Sequence, residues 1–289
     1  MSHRPIIALT AGDCTGIGPE LVATIVAERR VADDARLLLI GDARVFEEGQ
    51  RRAGKPFGMR PCLDPSQADW SGEAIPMIDL GNTDPSRFPV GIADAGSGRV
   101  TGDTLKAAID LAMAGLVDAV SFAPLNKRAL FDGGWRFPDE HKMFAHLLGH
   151  RGYFSEMNVL GQWWMSRVTS HVSLRQALDQ IDASSIRNAI RLAVDTMRRA
   201  GIEQPRLAVA ALNPHAGENG LFGSEEIDTI APAVAAMAAE GYACEGPFPA
   251  DTVYLKAFGG AYDGVLAMYH DQGQIATKLK GCLLYTSDA

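Results

Sequence analysis

Long apolar runs are missing from this 289-residue chain, and none of its apolar stretches is long enough to span a bilayer, so a membrane partner is not expected. Cysteine is scarce. Its four cysteines (Cys14, Cys62, Cys244, Cys282) lie far apart and form no C-x-x-C pair, which argues against thiolate-bound zinc and against a disulfide framework. Basic blocks are missing too. With a net charge of −8 and only 7% aromatic residues, nucleic acid is not the expected partner, because phosphate neutralisation needs clustered Lys and Arg. A small anion remains compatible, since the local field in a cleft can oppose the global sign. The opening "MSHRPIIALTAGD" carries an apolar run too short for a signal peptide, with no small-residue cleavage site after it, so a cytoplasmic location is expected.

What is present is an alternation of short apolar runs and helical periods. "PIIALTAGD", "ARLLLIGD", "DAVSFAPLNK", "PRLAVAAL" and "AYDGVLAMY" read as buried strands. Between them, "LVATIVAERR", "TGDTLKAAIDLAMAGLV", "DEHKMFAHLLGH", "DASSIRNAIRLAVDTMRRAG" and "SEEIDTIAPAVAAMAAEG" read as helices. Thr101 or Asp103 is the expected cap of the second helix, and Asp182 or Ser184 that of the fourth, which stops at Gly201. Strand–helix alternation implies an α/β protein with parallel sheets covered by helices. Residues 55–100 show little periodicity and read as irregular loops and short strands.

In parallel sheets, ligands bind at the carboxyl ends of strands. Three histidines stand there: "WWMSRVTSH" ends in His171, "LAVAALNPH" in His215 and "GVLAMYH" in His270. Three imidazoles at one sheet edge suit a divalent metal with an open coordination position. Taken alone, each histidine reads better as a hydrogen-bonded loop residue; their joint placement favours the metal. Asp271 follows His270, and Asp251 sits in the turn-rich "GPFPADTVY". Either carboxylate suits a ligand, a partner of a ligand, or a base. "TAGDCTGIGPE" places Gly12, Gly16 and Gly18 between a strand and a helix. An anion cradle and a plain tight turn fit it equally, for the spacing matches neither dinucleotide nor P-loop fingerprints. Lys127, after "SFAPLN", suits an anionic substrate or open solvent.

Together, "TAGDCTGIGPE", "APLNK", "VTSHVSLRQAL", "LNPHAGENGLFGSEEIDTIAPAV", "GPFPADT" and "MYHDQGQIATK" resemble the 4-hydroxythreonine-4-phosphate dehydrogenase family, in family order. The resemblance implies two α/β/α domains flanking an active-site cleft, of the isocitrate/isopropylmalate dehydrogenase type, in a homodimer. It implies a first domain over 1–125, a second with the metal-binding histidines over 126–281, and a tail outside the family pattern over 282–289. His171, His215 and His270 match the family's metal ligands, with Zn, Mg, Co or Mn as the metal, and Lys278 its substrate lysine. The implied reaction is NAD- or NADP-dependent oxidation of a secondary alcohol on a small phosphorylated hydroxy acid, with decarboxylation of the 3-keto acid, as in pyridoxine biosynthesis. Asp271, Asp251 and Lys127 are the catalytic candidates.

Two departures stand out. Where the family carries Gly-His-Thr-Glu at a substrate-binding turn, this chain reads "FPDEHKMF". Ungapped counting sets Glu140 at the family's histidine and His141 at its threonine; a one-residue shift sets His141 at the histidine. A carboxylate there repels a phosphate. Threonate or erythronate 4-phosphates, or non-phosphorylated diol carboxylates, thus stand beside 4-hydroxythreonine 4-phosphate as substrates. The family also continues past Lys278 into a dinucleotide-binding segment, where "CLLYTSDA" matches nothing, so a C-terminal truncation is expected. Outside this resemblance, a metal-dependent hydrolase or lyase without nucleotide, or a binding protein without chemistry, would use the same histidines.

Overall fold

The computed structural model describes residues 4–137 and 140–286, the last five by backbone alone. They fall into two compact units, divided between Arg151 and Gly152.

The first unit holds β1 (Ile6–Thr10), α1 (Gly18–Ala27), β2 (Arg36–Gly41), α2 (Ala43–Ala53), β3 (Met59–Pro61), β4 (Ile75–Asp79), α3 (Ala95–Met113), β5 (Ala119–Phe122), α4 (Lys127–Asp132) and α5 (Glu140–Leu147). Its sheet runs β3-β4-β2-β1-β5, all parallel. β2 shows why the sequence gives an unbroken apolar run. Leu39 faces a cluster with Leu9, Val22 and Phe46, while Leu38 and Ile40 face another with Ala8 and Ala108. Helices cover both faces, so successive side chains are all buried.

α3 begins earlier than periodicity suggests. Its cap is Asp94, not Thr101 or Asp103, and the Asp94 carboxylate accepts hydrogen bonds from the Gly96 and Ser97 N–H groups. "AGSGRVTG" looks like a loop because glycine disfavours helix. Here the glycines form a notch: a Cβ on Gly98 would lie 1.9 Å from the Ala129 carbonyl oxygen, and one on Gly102 2.1 Å from the Trp135 ring. The chain around α4 occupies that notch. Residues 126–151, expected with the second domain, accordingly pack in the first unit.

The second unit holds β6 (Asn158–Leu160), β7 (Trp163–Arg167), α6 (Leu174–Gln180), α7 (Ala183–Arg199), β8 (Leu207–Ala210), α8 (Ala231–Ala239), β9 (Cys244–Phe248), α9 (Ala250–Phe258), β10 (Gly264–Ala267) and α10 (His270–Thr286). Its sheet runs β6-β7-β10-β8-β9, with β6 antiparallel to β7 and the other pairs parallel. Asp182 caps α7 as expected, accepting from Ser185 N at 2.7 Å. Asp251 lies in the first turn of α9 rather than in a loop. "HDQGQIATK" is the start of a helix, α10, which carries its backbone through residues 282–286 of the expected tail. Residues 287–289 of that tail lie outside the described residues.

Candidate active site

β10 is the central strand of the second sheet, with β7 on one side and β8 on the other. Ala267 pairs with Arg167, and Leu266 with Val209. His270 is therefore three residues past a registered pair, His171 four residues past the same pair, and His215 six past its own. The two nearly level histidines meet: the His171 and His270 rings lie 5.6 Å apart between centroids. His215 does not join them. Its ring sits 6.2 Å from Phe222, and among the described residues no three His, Cys, Asp or Glu side chains gather into a metal-holding group.

Asp271 engages His270 directly, with Nδ1 to Oδ1 at 2.7 Å. A neutral His270 donating Nδ1–H to this carboxylate keeps Nε2 as its lone-pair nitrogen, the arrangement a metal-ligating imidazole needs. His171, His270 and Asp271 line one cavity of about 200 Å³ with Thr169, Ser170 and Tyr269. Asp271 also lines a second, more apolar groove of about 510 Å³, which it shares with Asp251, Tyr254 and Ile275. Asp251 thus faces the groove and not the histidine cavity. Burial pushes the Tyr254 hydroxyl well above the ordinary phenol range, so it stays neutral there. Lys278 is exposed on α10, seven residues beyond Asp271, and lines neither cavity.

Backbone strain concentrates at this edge. His171 has φ +49°, and His215, Ala216, Glu218 and Asn219 have φ between +43° and +55° around Gly217 at +78°. A run of L-residues in left-handed conformation costs roughly 1–2 kcal/mol per residue, so something must hold it. Glu226 does. This buried carboxylate accepts from Leu212 N at 2.8 Å, Asn213 N at 2.7 Å and Asn213 Nδ2 at 3.0 Å. Burial works against its charge, but these hydrogen bonds prevail and hold its pKa below the usual carboxylate value.

Sequence reasoning missed Glu226, Gln272 and Arg167. Arg167 ends β7 almost wholly buried, donating from Nε to Ser170 Oγ and from Nη1 to Asn158 Oδ1, both at 3.0 Å, and pairing with Glu156. Burial pulls its guanidinium below the ordinary arginine value. An arginine inside the apolar "WWMSRV" was the available signal.

In the first unit, Lys127 and Glu140 come together, Nζ to Oε2 at 3.2 Å. Glu140 is then not a bare charge, which eases the repulsion expected for a phosphate. His141 follows in the first turn of α5; Pro138 and Asp139 of the "FPDEHKMF" stretch lie outside the described residues. The "TAGDCTGIGPE" loop resolves as a tight turn. Buried Asp13 accepts from Thr15 N and Oγ1 at 3.0 and 2.9 Å. A Cβ on Gly12 (φ +67°) would meet the Ala123 carbonyl oxygen at 2.4 Å.

A family model described as pyridoxal phosphate biosynthetic protein PdxA matches residues 33–283. The chain belongs to the PdxA family. Within it, a putative 4-hydroxythreonine-4-phosphate dehydrogenase 2 of Pseudomonas aeruginosa is 43% identical, over 96% of this chain and 83% of that one. A D-threonate 4-phosphate dehydrogenase of Cupriavidus necator is 41% identical, over 96% of this chain and 84% of its own length. The crystal structure of 4-hydroxythreonine-4-phosphate dehydrogenase from Klebsiella pneumoniae superposes with a TM-score of 0.87 at 38% identity, over 96% of this chain and 84% of that one. The PdxA fold is therefore shared through both α/β units. No helix among the described residues is long and apolar enough to cross a membrane.

Proposed function

We propose that this PdxA-family chain is an NAD(P)- and divalent-metal-dependent dehydrogenase of a small 4-phosphorylated hydroxy acid, of the threonate 4-phosphate or 4-hydroxythreonine 4-phosphate kind. The observation that carries the reading is the pairing of His171 with His270 at the ends of adjacent strands, with Asp271 fixing the His270 ring. Kinship with relatives named for both substrates supports oxidation over hydrolysis.

The donor chemistry fits a metal in part. Two imidazoles and an orienting carboxylate are together; the third donor of this reading, His215, lies on the neighbouring strand end, in a strained turn. When bound, the metal supplies Lewis acidity toward the substrate alcohol and the carbonyl it becomes. His171 and His270 would hold it. Asp271, through His270 Nδ1, keeps Nε2 available for it. Oxidation breaks the carbinol C–H bond, passes hydride to the nicotinamide and releases the hydroxyl proton. Asp271, which lines the histidine cavity, or Asp251, in the groove beside it, is the proposed acceptor of that proton. Loss of carbon dioxide from the 3-keto acid leaves an electron pair that is reprotonated at carbon. Lys278 is proposed to contact the anionic substrate. A homodimer in the cytoplasm completes the reading.

The test is NAD(P) reduction by the purified chain. Metal-stripped protein is assayed with D-threonate 4-phosphate, 4-hydroxythreonine 4-phosphate and their dephosphorylated forms, with and without Zn²⁺, Mn²⁺ or Co²⁺. Turnover of a phosphorylated acid that needs added metal is expected. Turnover confined to the dephosphorylated diols, or equal turnover in chelator, overturns it. Sedimentation velocity reads the dimer.

A further inference from the structure

We propose that Gln272 is a positioning residue, the centre of a hydrogen-bonded strap that ties the histidine-bearing strand ends to one another. The strap uses the backbone of Met268, the first residue past β10. The Met268 carbonyl accepts from Thr169 N at 3.2 Å and from Thr169 Oγ1 at 3.0 Å, which joins the ends of β10 and β7. The Met268 N–H donates to Gln272 Oε1 at 2.7 Å, and Gln272 Nε2 donates to the Ala211 carbonyl at 2.7 Å, which joins the ends of β10 and β8. Ala211 N–H donates to the Phe248 carbonyl at 2.7 Å and carries the strap on to β9. Thr169, Met268 and Ala211 are all buried, so each bond lies where a lost partner is costly.

The positions of the histidines give the strap its use. His171 is two residues past Thr169, His270 two past Met268, and His215 four past Ala211. Every loop that ends in a histidine is gripped just before it. The simpler reading of Gln272 is a local cap for the first turn of α10. A cap explains the bond to Met268, four residues away, but not the bond to Ala211, 61 residues away. Only a side chain with both an acceptor and a donor at its tip makes the two bonds.

The inference rests on the metal reading for its consequence, and on backbone protection for its own trial. Amide exchange by NMR and Co²⁺ titration, followed by visible absorption, are read on the wild type and on Gln272→Met, Gln272→Glu, Thr169→Val and Thr169→Ser. Gln272→Met is expected to expose the Met268 amide and weaken Co²⁺ binding by about 10–100-fold, as loss of supporting contacts does at metal sites. Its strand amides at Val265 and Leu266 should stay protected. Gln272→Glu keeps the acceptor and loses the donor. Met268 should then stay protected while Leu212 and Asn213 exchange faster. Thr169→Val should weaken Co²⁺ binding and Thr169→Ser should not, a contrast that holds should Gln272→Met fold poorly. Unchanged Met268 exchange in Gln272→Met, or Gln272→Glu indistinguishable from wild type, overturns the strap. A wild type that takes up no Co²⁺ defeats the metal reading instead, and the exchange data alone then decide the strap.

Discussion

The two units solve the same problem, the loop after a parallel strand, in opposite ways. In the first unit the turn after β1 closes on itself. Asp13 satisfies its own neighbours, and Gly12 and Gly18 let the backbone press against Ala123 and Ala11. In the second unit the loops after β7 and β8 hold His171 and His215 in left-handed conformations, and both side chains are exposed. A relaxed loop and a strained one differ here in what they present. Strain persists where surrounding contacts over-determine it, and such places are candidates for function.

The sharpest way to break this contrast is His270→Ala. Activity should fall by about three orders of magnitude, or ~4 kcal/mol, with Co²⁺ uptake lost and the melting temperature nearly unchanged. The matching change in the relaxed loop is Gly12→Ala. The new Cβ meets the Ala123 carbonyl oxygen at 2.4 Å in a left-handed residue, so stability should drop by ~3 kcal/mol, while metal affinity in the second unit holds. Denaturant titration and Co²⁺ binding separate the two outcomes.

A smaller test concerns Glu226. Its carboxyl is depressed in the folded chain, so the stability it adds is present above the unfolded carboxyl pKa and is lost as pH falls through the lower folded value. Glu226→Gln should cost about 1–2 kcal/mol at pH 7 and lessen the difference between pH 7 and pH 3.5 in urea unfolding. The weakest effect is at the helix caps. Asp94→Ala and Asp182→Ala should each cost about 1 kcal/mol, the first in the unit of the relaxed turn and the second in that of the strained loops. Equal losses would show that the units differ in their loops and not in their helices.

Much of this was legible in the sequence because it is local. The apolar runs of β1, β2, β8 and β10, the Asp182 cap and the histidines after strands all follow from neighbours a few residues apart. The start of α3 was not legible, because its glycines matter only against Ala129 and Trp135. Nor were Gln272 and Glu226, whose roles depend on partners 61 and 14 residues away. The histidine edge was read as one group of three; the structure brings His171 and His270 together and leaves His215 beside Phe222, since its loop runs two residues longer before reaching the imidazole.

The place of β10 carries a consequence for how the chain is made. β10 is made after both β7 and β8 yet lies between them in the sheet, and its pairing of Gly264 with Trp164 joins residues a hundred positions apart. In the first unit the five described strands are complete once Phe122 has emerged. At about 5–20 residues per second, the ribosome delivers β7 and β8 several seconds before the strand that must lie between them. Until β10 arrives, those two strands have open inner edges, and their histidines stand on separate, unjoined pieces of chain. The histidine-bearing edge is therefore joined only when β10 arrives, and the stretch of synthesis between β8 and β10 is when a chaperone has these open strands to protect.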